Sequence, residues 1–187
     1  MSKEFGDGLD QAVQKAFTRP APKSASAQMR YLVKQLGGTK AVAQMLRVSQ
    51  RTVERYVKDQ IKKPRPDLAA RLEREVKARW QPQIRAKARE KAATTGGIVI
   101  DVHARLGYAG APMDSTDEDR IRHLTVALPP QYAARLFDAQ QQGANEDRLR
   151  ELTAEALKEV YFQDGGRRAG SLQEVQINDV LNLDFEL

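Results

Sequence analysis

The sequence predicts a mainly α-helical protein with a small α+β part in its carboxyl half. Apolar residues recur at helical spacing through residues 9–57, with turn residues between the helical stretches, and residues 67–93 have high helix propensity with sparse apolar positions. Residues 98–105, IVIDVHAR, are the first β-branched run and predict a strand. Residues 121–128 alternate apolar and polar side chains before Pro129, Pro130 and two further helical patterns. The carboxyl unit is therefore predicted to be strand, helix, turn, helix.

This pattern divides the chain into five segments. They are an amino-terminal helix with a proline-containing linker (1–26), a helix-turn-helix bundle (27–66), a basic helical extension (67–97), an α+β domain with an acidic loop at 107–119 (98–172), and an acidic tail (173–187). Pro82 is expected to kink or divide the extension, because proline lacks a backbone donor. The tail alternates weakly, so it is either an added strand or a partly disordered end.

Positive charge is concentrated in the middle of the chain. The formal net charge is +6, but 15 Lys and Arg stand against 6 Asp and Glu between Arg47 and Lys91. Such a concentration indicates a partner that is a polyanion, and nucleic acid is the natural candidate.

Composition also argues against several functions. The chain has no Cys and only two His, His103 and His123, which excludes disulfides and thiolate sites and leaves little for a metal. No stretch of about eighteen apolar residues is present, so a cytoplasmic protein with no membrane partner is expected. No phosphate-binding loop or nucleophile motif is present either, and the protein is not expected to be an enzyme.

Residues 38–60, GTKAVAQMLRVSQRTVERYVKDQ, resemble a helix-turn-helix motif. Ala43 is the small residue where the two helices cross, and Ser49 caps the second helix. Arg47 stands where the tight turn often has glycine, which predicts a looser turn. The residues predicted to face bases or phosphates are Gln50, Arg51, Thr52, Glu54, Arg55 and Lys58 on the second helix, then Lys62, Lys63 and Arg65 after it. The alternative is an ordinary helical bundle with a solvated basic face.

Two other features leave their interpretation open. Trp80 either stacks on an exposed base or anchors packing. The segment that begins RHLTVALPP resembles a ribbon-helix-helix module, whose outward strand positions would be His123, Thr125 and Ala127. Because that set has no Arg or Lys, we expect dimerisation or partner docking from this half, with a plain α+β core as the alternative.

The acidic stretch DSTDEDR, residues 114–120, places two hydroxyls among carboxylates. Ser115 and Glu118 have the spacing of a capping box, and a solvated connector is equally compatible with the composition. From the residues alone, both structural interpretations stand.

Long strings of the chain, at residues 16–101, 120–140 and 157–172, resemble the terminal proteins that cap the telomeres of linear actinomycete chromosomes and plasmids. The resemblance implies protein-primed DNA synthesis, in which a threonine of the acidic loop becomes covalently joined to the 5′ end of the DNA. That threonine corresponds to Thr116, and the adjacent Ser115 is the second choice.

The resemblance also implies partners and a location. The partners would be telomeric DNA, a telomere-associated protein that binds the single-stranded overhang, and a DNA polymerase, with a homodimer also compatible; the location would be the nucleoid, at replicon ends. The protein would bind no cofactor of its own, while the polymerase reaction would need a divalent metal and a deoxynucleotide. The main alternative is a sequence-specific helix-turn-helix transcription regulator, which would form no covalent adduct, and a nucleoid-packaging protein is a third class.

Overall fold

The computed structural model describes residues 3–109, 120–167 and 172–187. Its helices are α1 (Phe5–Lys15), α2 (Ala25–Leu36), α3 (Thr39–Leu46), α4 (Gln50–Val57), α5 (Pro66–Arg79), α6 (Pro82–Lys91), α7 (Pro130–Gln141) and α8 (Glu146–Leu157). Its strands are β1 (Ile98–Ala109), β2 (Arg120–Leu128) and β3 (Glu174–Glu186). One π-helical turn continues α6 over Ala92–Gly96, and another continues α8 over Lys158–Phe162. The prediction of a mainly α-helical protein with a small β part is confirmed. None of the helices in these ranges has the length and apolarity to cross a membrane.

The chain forms two compact units, and one is inserted into the other. The smaller unit is Thr18–Pro82, and the larger unit combines Met1–Phe17 with Gln83–Leu187. This division differs from the predicted segments, because α1 belongs with the carboxyl half. The predicted basic extension is shared between the units, with α5 in the smaller one and most of α6 in the larger one.

The smaller unit is a four-helix bundle around one apolar core. α2, α3 and α4 supply buried Met29, Leu32, Leu46, Val53 and Tyr56, and α5 adds Leu68, Leu72 and Val76. The last three recur at helical spacing, so α5 packs with the bundle and is not a free extension.

Side chains tie the two ends of the smaller unit together. Thr18 N donates to Gln81 Oε1 (3.0 Å), and Gln81 Nε2 donates to Thr18 Oγ1 (3.1 Å). Trp80 Nε1 donates to Arg19 O (3.0 Å), and the indole packs edge-on against Tyr31 with ring centroids 4.9 Å apart. Trp80 thus makes the contacts of a packing anchor.

The larger unit is built on an antiparallel sheet in the order β2-β1-β3. β1 pairs with β2 from Ile98↔Leu128 to Leu106↔Arg120. The core face carries β1 residues Ile100 and Val102 and β2 residues Leu124 and Val126, while the predicted outward residues His123, Thr125 and Ala127 are exposed. α1 and α8 pack against β3, and α7 packs against α8 and the π-helical turn after α6.

One carboxyl-half prediction needs correction, and one open alternative is decided. The predicted loop begins too early, since residues 107–109 belong to β1 and pair with residues 174–176 of β3. Of the two alternatives for residues 173–187, the added strand is confirmed: the segment forms β3, whose Leu183 and Phe185 are fully buried. The segment 110–119, which includes Ser115 and Thr116, lies outside the described residues.

The resemblance to a ribbon-helix-helix module holds for element order only. β2, α7 and α8 follow one another as predicted, but β2 pairs with β1 of its own chain. In a ribbon-helix-helix dimer the partner strand comes from a second copy. Here β1 of the same chain takes the place of that strand, pairing with β2 over nine residues.

Candidate nucleic-acid interface

The turn between α3 and α4 is closed by backbone hydrogen bonds. Arg47 adopts the left-handed conformation (φ 54°), with its N–H donating to Gln44 O (3.2 Å), and Val48 N donates to Ala43 O (3.0 Å). Ser49 then caps α4 by accepting a hydrogen bond from Thr52 N (3.1 Å). Arg47 therefore occupies the glycine position of the turn without opening it, and the prediction of a looser turn is wrong.

Two buried side chains fix which face of α4 is exposed. Val53 (0 % exposed) and Tyr56 (3 % exposed) belong to the core of the bundle. Arg51, Arg55 and Lys58 are exposed, and their spacing of four and three residues places them along one stripe of the helix. The same helix thus combines an apolar stripe with a cationic stripe, as an element that docks on a polyanion requires.

The remaining predicted contact residues of α4 hold the local structure. The Gln50 side-chain amide donates to Thr39 Oγ1 (3.1 Å) and to Glu54 Oε1 (3.0 Å). The Thr52 hydroxyl lies 2.8 Å from the Ser49 hydroxyl. Gln50 is exposed, whereas Thr52 and Glu54 are half-buried. The bond from Gln50 to Thr39 links the first turn of α4 to the first turn of α3, and the other two hold α4 and its cap, roles that the sequence pattern did not indicate.

Arg30 of α2 holds the carboxyl end of α4. Its guanidinium donates to Val57 O (3.1 Å) and to Asp59 Oδ2 (2.9 Å). Hydrogen bonds from Ser26 and from Arg30 lower the pKa of Asp59 below its ordinary value. Asp59 therefore stays ionised and paired beside the basic stripe.

The two units carry opposite net charges. The smaller unit has 16 Lys and Arg against 5 Asp and Glu, a net of +11, and its exposed residues include the predicted Lys62, Lys63 and Arg65. The larger unit has 15 Lys and Arg against 20 Asp and Glu, a net of −5. The basic character of the chain is therefore a property of the smaller unit alone.

α6 contributes less to a basic surface than its sequence suggests. Arg85 is 7 % exposed and its guanidinium lies 2.7 Å from Asp10 Oδ1, and Arg89 lies 3.5 Å from the same oxygen. Burial, followed by repulsion from Arg85, lowers the pKa of Arg89. Both guanidinium groups pair with α1 inside the larger unit and are turned away from an external phosphate.

A second polar cluster lies on the outer face of the sheet. Asp101 accepts a hydrogen bond from Thr125 Oγ1 (2.6 Å), and His123 Nε2 lies 2.9 Å from Asp101 Oδ1. His103 stands opposite His123 with ring centroids 5.7 Å apart. Within residues 3–109, 120–167 and 172–187, no three His, Asp or Glu side chains converge as metal ligands.

Comparison with models of known protein families gave no match, and neither did comparison with curated proteins or with solved structures. The functional interpretation therefore depends on the residues of the chain itself.

Proposed function

We propose that this chain binds duplex DNA through the smaller unit, with α4 in the major groove. The observation that carries the proposal is the exposed stripe of Arg51, Arg55 and Lys58, on a helix whose opposite face is locked into the bundle. The major groove admits an α-helix, and Arg pairs with guanine edges or with phosphates. Ser49 and Arg30 hold the two ends of α4, so little ordering is needed on binding.

Lys62, Lys63 and Arg65 would contact the DNA backbone in this arrangement. They follow α4 directly and lie exposed between α4 and α5. Contacts of Lys and Arg with phosphates release counterions and make binding depend on salt. These contacts would position the smaller unit on the duplex without reading its sequence.

The test is the double substitution Arg51→Ala with Arg55→Ala, measured by fluorescence anisotropy on a labelled duplex. We expect the dissociation constant to rise at least about tenfold, because each guanidinium contributes on the order of 1–3 kcal/mol, and the salt slope to fall by about 2. The matched control, Lys87→Ala with Lys91→Ala, removes the same charge from exposed positions of the larger unit. An equal loss of affinity in both variants would show that overall charge, and not α4, drives binding.

We further propose that the protein is a terminal protein that primes DNA synthesis with the Thr116 hydroxyl. The support is the resemblance of its long sequence strings to telomere terminal proteins. The hydroxyl oxygen would attack the α-phosphorus of a deoxynucleotide, forming a phosphodiester and releasing pyrophosphate, at the divalent metal ions of the polymerase. A protein primer is consumed as a substrate, which agrees with a sequence that has no catalytic motif.

Mass spectrometry of DNA-linked protein after exhaustive nuclease digestion tests the priming proposal. We expect an added nucleotide mass on the tryptic fragment 106–120, at Thr116, and its loss in Thr116→Val with DNA affinity unchanged. Ser115→Ala is the matched control and should keep the adduct. An adduct that persists in Thr116→Val would assign priming to another hydroxyl. DNA binding without any adduct would leave the regulator as the better function.

A further inference from the structure

A groove of the larger unit, here the β3 groove, runs between α8 and the start of β3. It encloses about 650 Å³, and residues 173–178 form one of its walls. Successive residues of a strand point to opposite faces of the sheet. A groove that touches five consecutive strand residues, 174–178, therefore follows the edge of β3 and not one of its faces.

The edge of β3 presents backbone groups to this groove. Among the residues that the structure describes, β3 pairs with β1 only, and the sheet order β2-β1-β3 leaves its other side without a strand. Alternate residues of such a strand direct N–H and C=O groups away from the paired neighbour. Two side chains already donate to carbonyls where the strand begins, Lys158 to Gln173 O (3.1 Å) and Gln163 to Leu172 O (3.0 Å). Carbonyls of this part of the chain are therefore accessible to donors.

The charged side chains around the β3 groove are mainly acidic. They are Asp147, Glu151, Glu155 and Glu174, against Arg150 and Lys158. Glu151 pairs with Arg148 and Glu155 with Arg135, each at 2.9 Å, and these four side chains are 40 % to 63 % exposed. Ion pairs of this exposure contribute little and exchange readily for another cation. The groove is thus suited to a cationic occupant.

We propose that the β3 groove binds an extended peptide segment of a partner protein that carries Lys or Arg at alternate positions. The segment would add to the sheet beside β3, with main-chain hydrogen bonds to the edge of the strand. Every second side chain of an extended segment points to the same side, so cations at alternate positions would all face the carboxylates of α8. This surface is separate from α4, and the inference does not rest on the proposed DNA binding.

The experiment uses the full chain and a fluorescein-labelled peptide of about ten residues that alternates Lys and Val, a pattern that favours an extended strand. We expect binding, and protection of the amides of residues 173–178 from hydrogen exchange. A peptide with Glu for every Lys tests the charge. A Lys/Val peptide that is N-methylated at every residue keeps the charge but loses all of its backbone donors. Both should bind at least about tenfold more weakly, because the proposed site needs cations and backbone donors together.

Two double variants locate the site. Glu151→Lys with Glu155→Lys should weaken binding of the Lys/Val peptide at least about tenfold, since it reverses two groove charges. Glu90→Lys with Asp138→Lys, which makes the same charge change at exposed positions outside the groove, should leave it unchanged. Three outcomes would each overturn the proposal: equal binding of the N-methylated peptide, an equal effect of both double variants, or protection confined to other segments of the wild-type protein.

Discussion

Asp101 shows how one residue on the outer face of the sheet is held in its charged form. The hydrogen bond from Thr125 and then that from His123 lower the pKa of Asp101 below its ordinary value. Because the pKa in the folded protein lies below that in the unfolded chain, the resulting stabilisation is present at neutral pH. It is lost as the pH falls through the folded-state pKa.

The substitution Thr125→Val should raise the pKa of Asp101 toward its ordinary value. The unfolding free energy of the variant should then fall less than that of the wild type when the pH is lowered from neutral to about pH 3. Carboxyl NMR titration checks the pKa, and urea unfolding at the two pH values checks the stability. Ala127→Val, on the same exposed strand face, is the control and should leave the Asp101 titration unchanged. An unaltered titration in Thr125→Val would assign the lowered pKa to His123 alone.

At the scale of the element, β3 shows why the sequence pattern could not decide between a strand and a disordered end for residues 173–187. Its pairing with β1 shifts register between His103 and Ala104 and again between Ala104 and Leu106. These irregularities interrupt the alternation of buried and exposed residues over residues 178–182. Leu183 and Phe185 are nevertheless fully buried, and the Phe185 ring packs against Phe5 of α1 with centroids 6.5 Å apart.

Phe185→Ala should lower the unfolding free energy of the larger unit by about 3–5 kcal/mol, because it removes a buried ring from the core. Trp80 is the single Trp of the chain and lies in the smaller unit, so its fluorescence reports the unfolding of that unit. Urea unfolding monitored by hydrogen exchange should show the lower unfolding free energy at the amides of β1 and β3. The unfolding transition monitored by Trp80 fluorescence should be unchanged.

Leu181→Ala is the matched control for Phe185→Ala, since Leu181 lies on the same strand and is 43 % exposed. Its effect should stay within about 0.5 kcal/mol. A loss from Phe185→Ala as small as that from Leu181→Ala would mean that the Phe185 ring contributes little to the core.

At the scale of the whole molecule, the chain enters and leaves the smaller unit at one place. The hydrogen bonds between Thr18 and Gln81 hold the first and last residues of the unit together, and Trp80 adds its hydrogen bond to Arg19. An insertion whose ends meet in this way can fold without the chain around it. The net charges of +11 and −5 coincide with this division and not with the amino and carboxyl halves.

The fragment 18–82 should fold alone and unfold cooperatively, because its core and its end-to-end contacts are internal. Its affinity for duplex DNA should lie within about threefold of that of the full chain, since the proposed contacts and the basic charge belong to this unit. Circular dichroism with thermal unfolding checks the fold, and fluorescence anisotropy checks the affinity.

Two further variants of the chain complete the test of the fragment 18–82. The remainder of the chain, with Phe17 joined to Gln83 by a short Gly-Ser link, should fold and should not bind DNA. Trp80→Ala in the fragment should lower its melting temperature, because it removes the contacts with Arg19 and Tyr31. A fragment that stays unfolded, or a remainder that binds DNA as tightly as the full chain, would contradict the division of roles.

Local patterns alone determined the helices, two of the strand segments, and the buried faces of α4 and β2. Helical spacing places Val53 and Tyr56 on the side of α4 opposite the predicted contacts Arg51 and Arg55, and alternation identified His123, Thr125 and Ala127 as the outward side of β2. Ser49 was recognisable as a cap and Pro82 as a point of division, because both act on the backbone of their own segment: the Ser49 hydroxyl accepts from a nearby N–H, and Pro82 lacks a backbone donor. The exposed positions of Arg51, Arg55 and Lys58 follow from the same periodicity.

The tertiary structure decided which segments belong together. α1 packs on β3 across nearly the whole length of the chain, and the core that joins them includes Leu9 and Phe185. It also decided that Arg85 and Arg89 of the basic run face Asp10, and that Thr52 and Glu54 hold the first turn of α4. Periodicity is a property of neighbouring residues and records only that a face is buried. The partner of that face is set by packing between distant segments, which no local pattern contains.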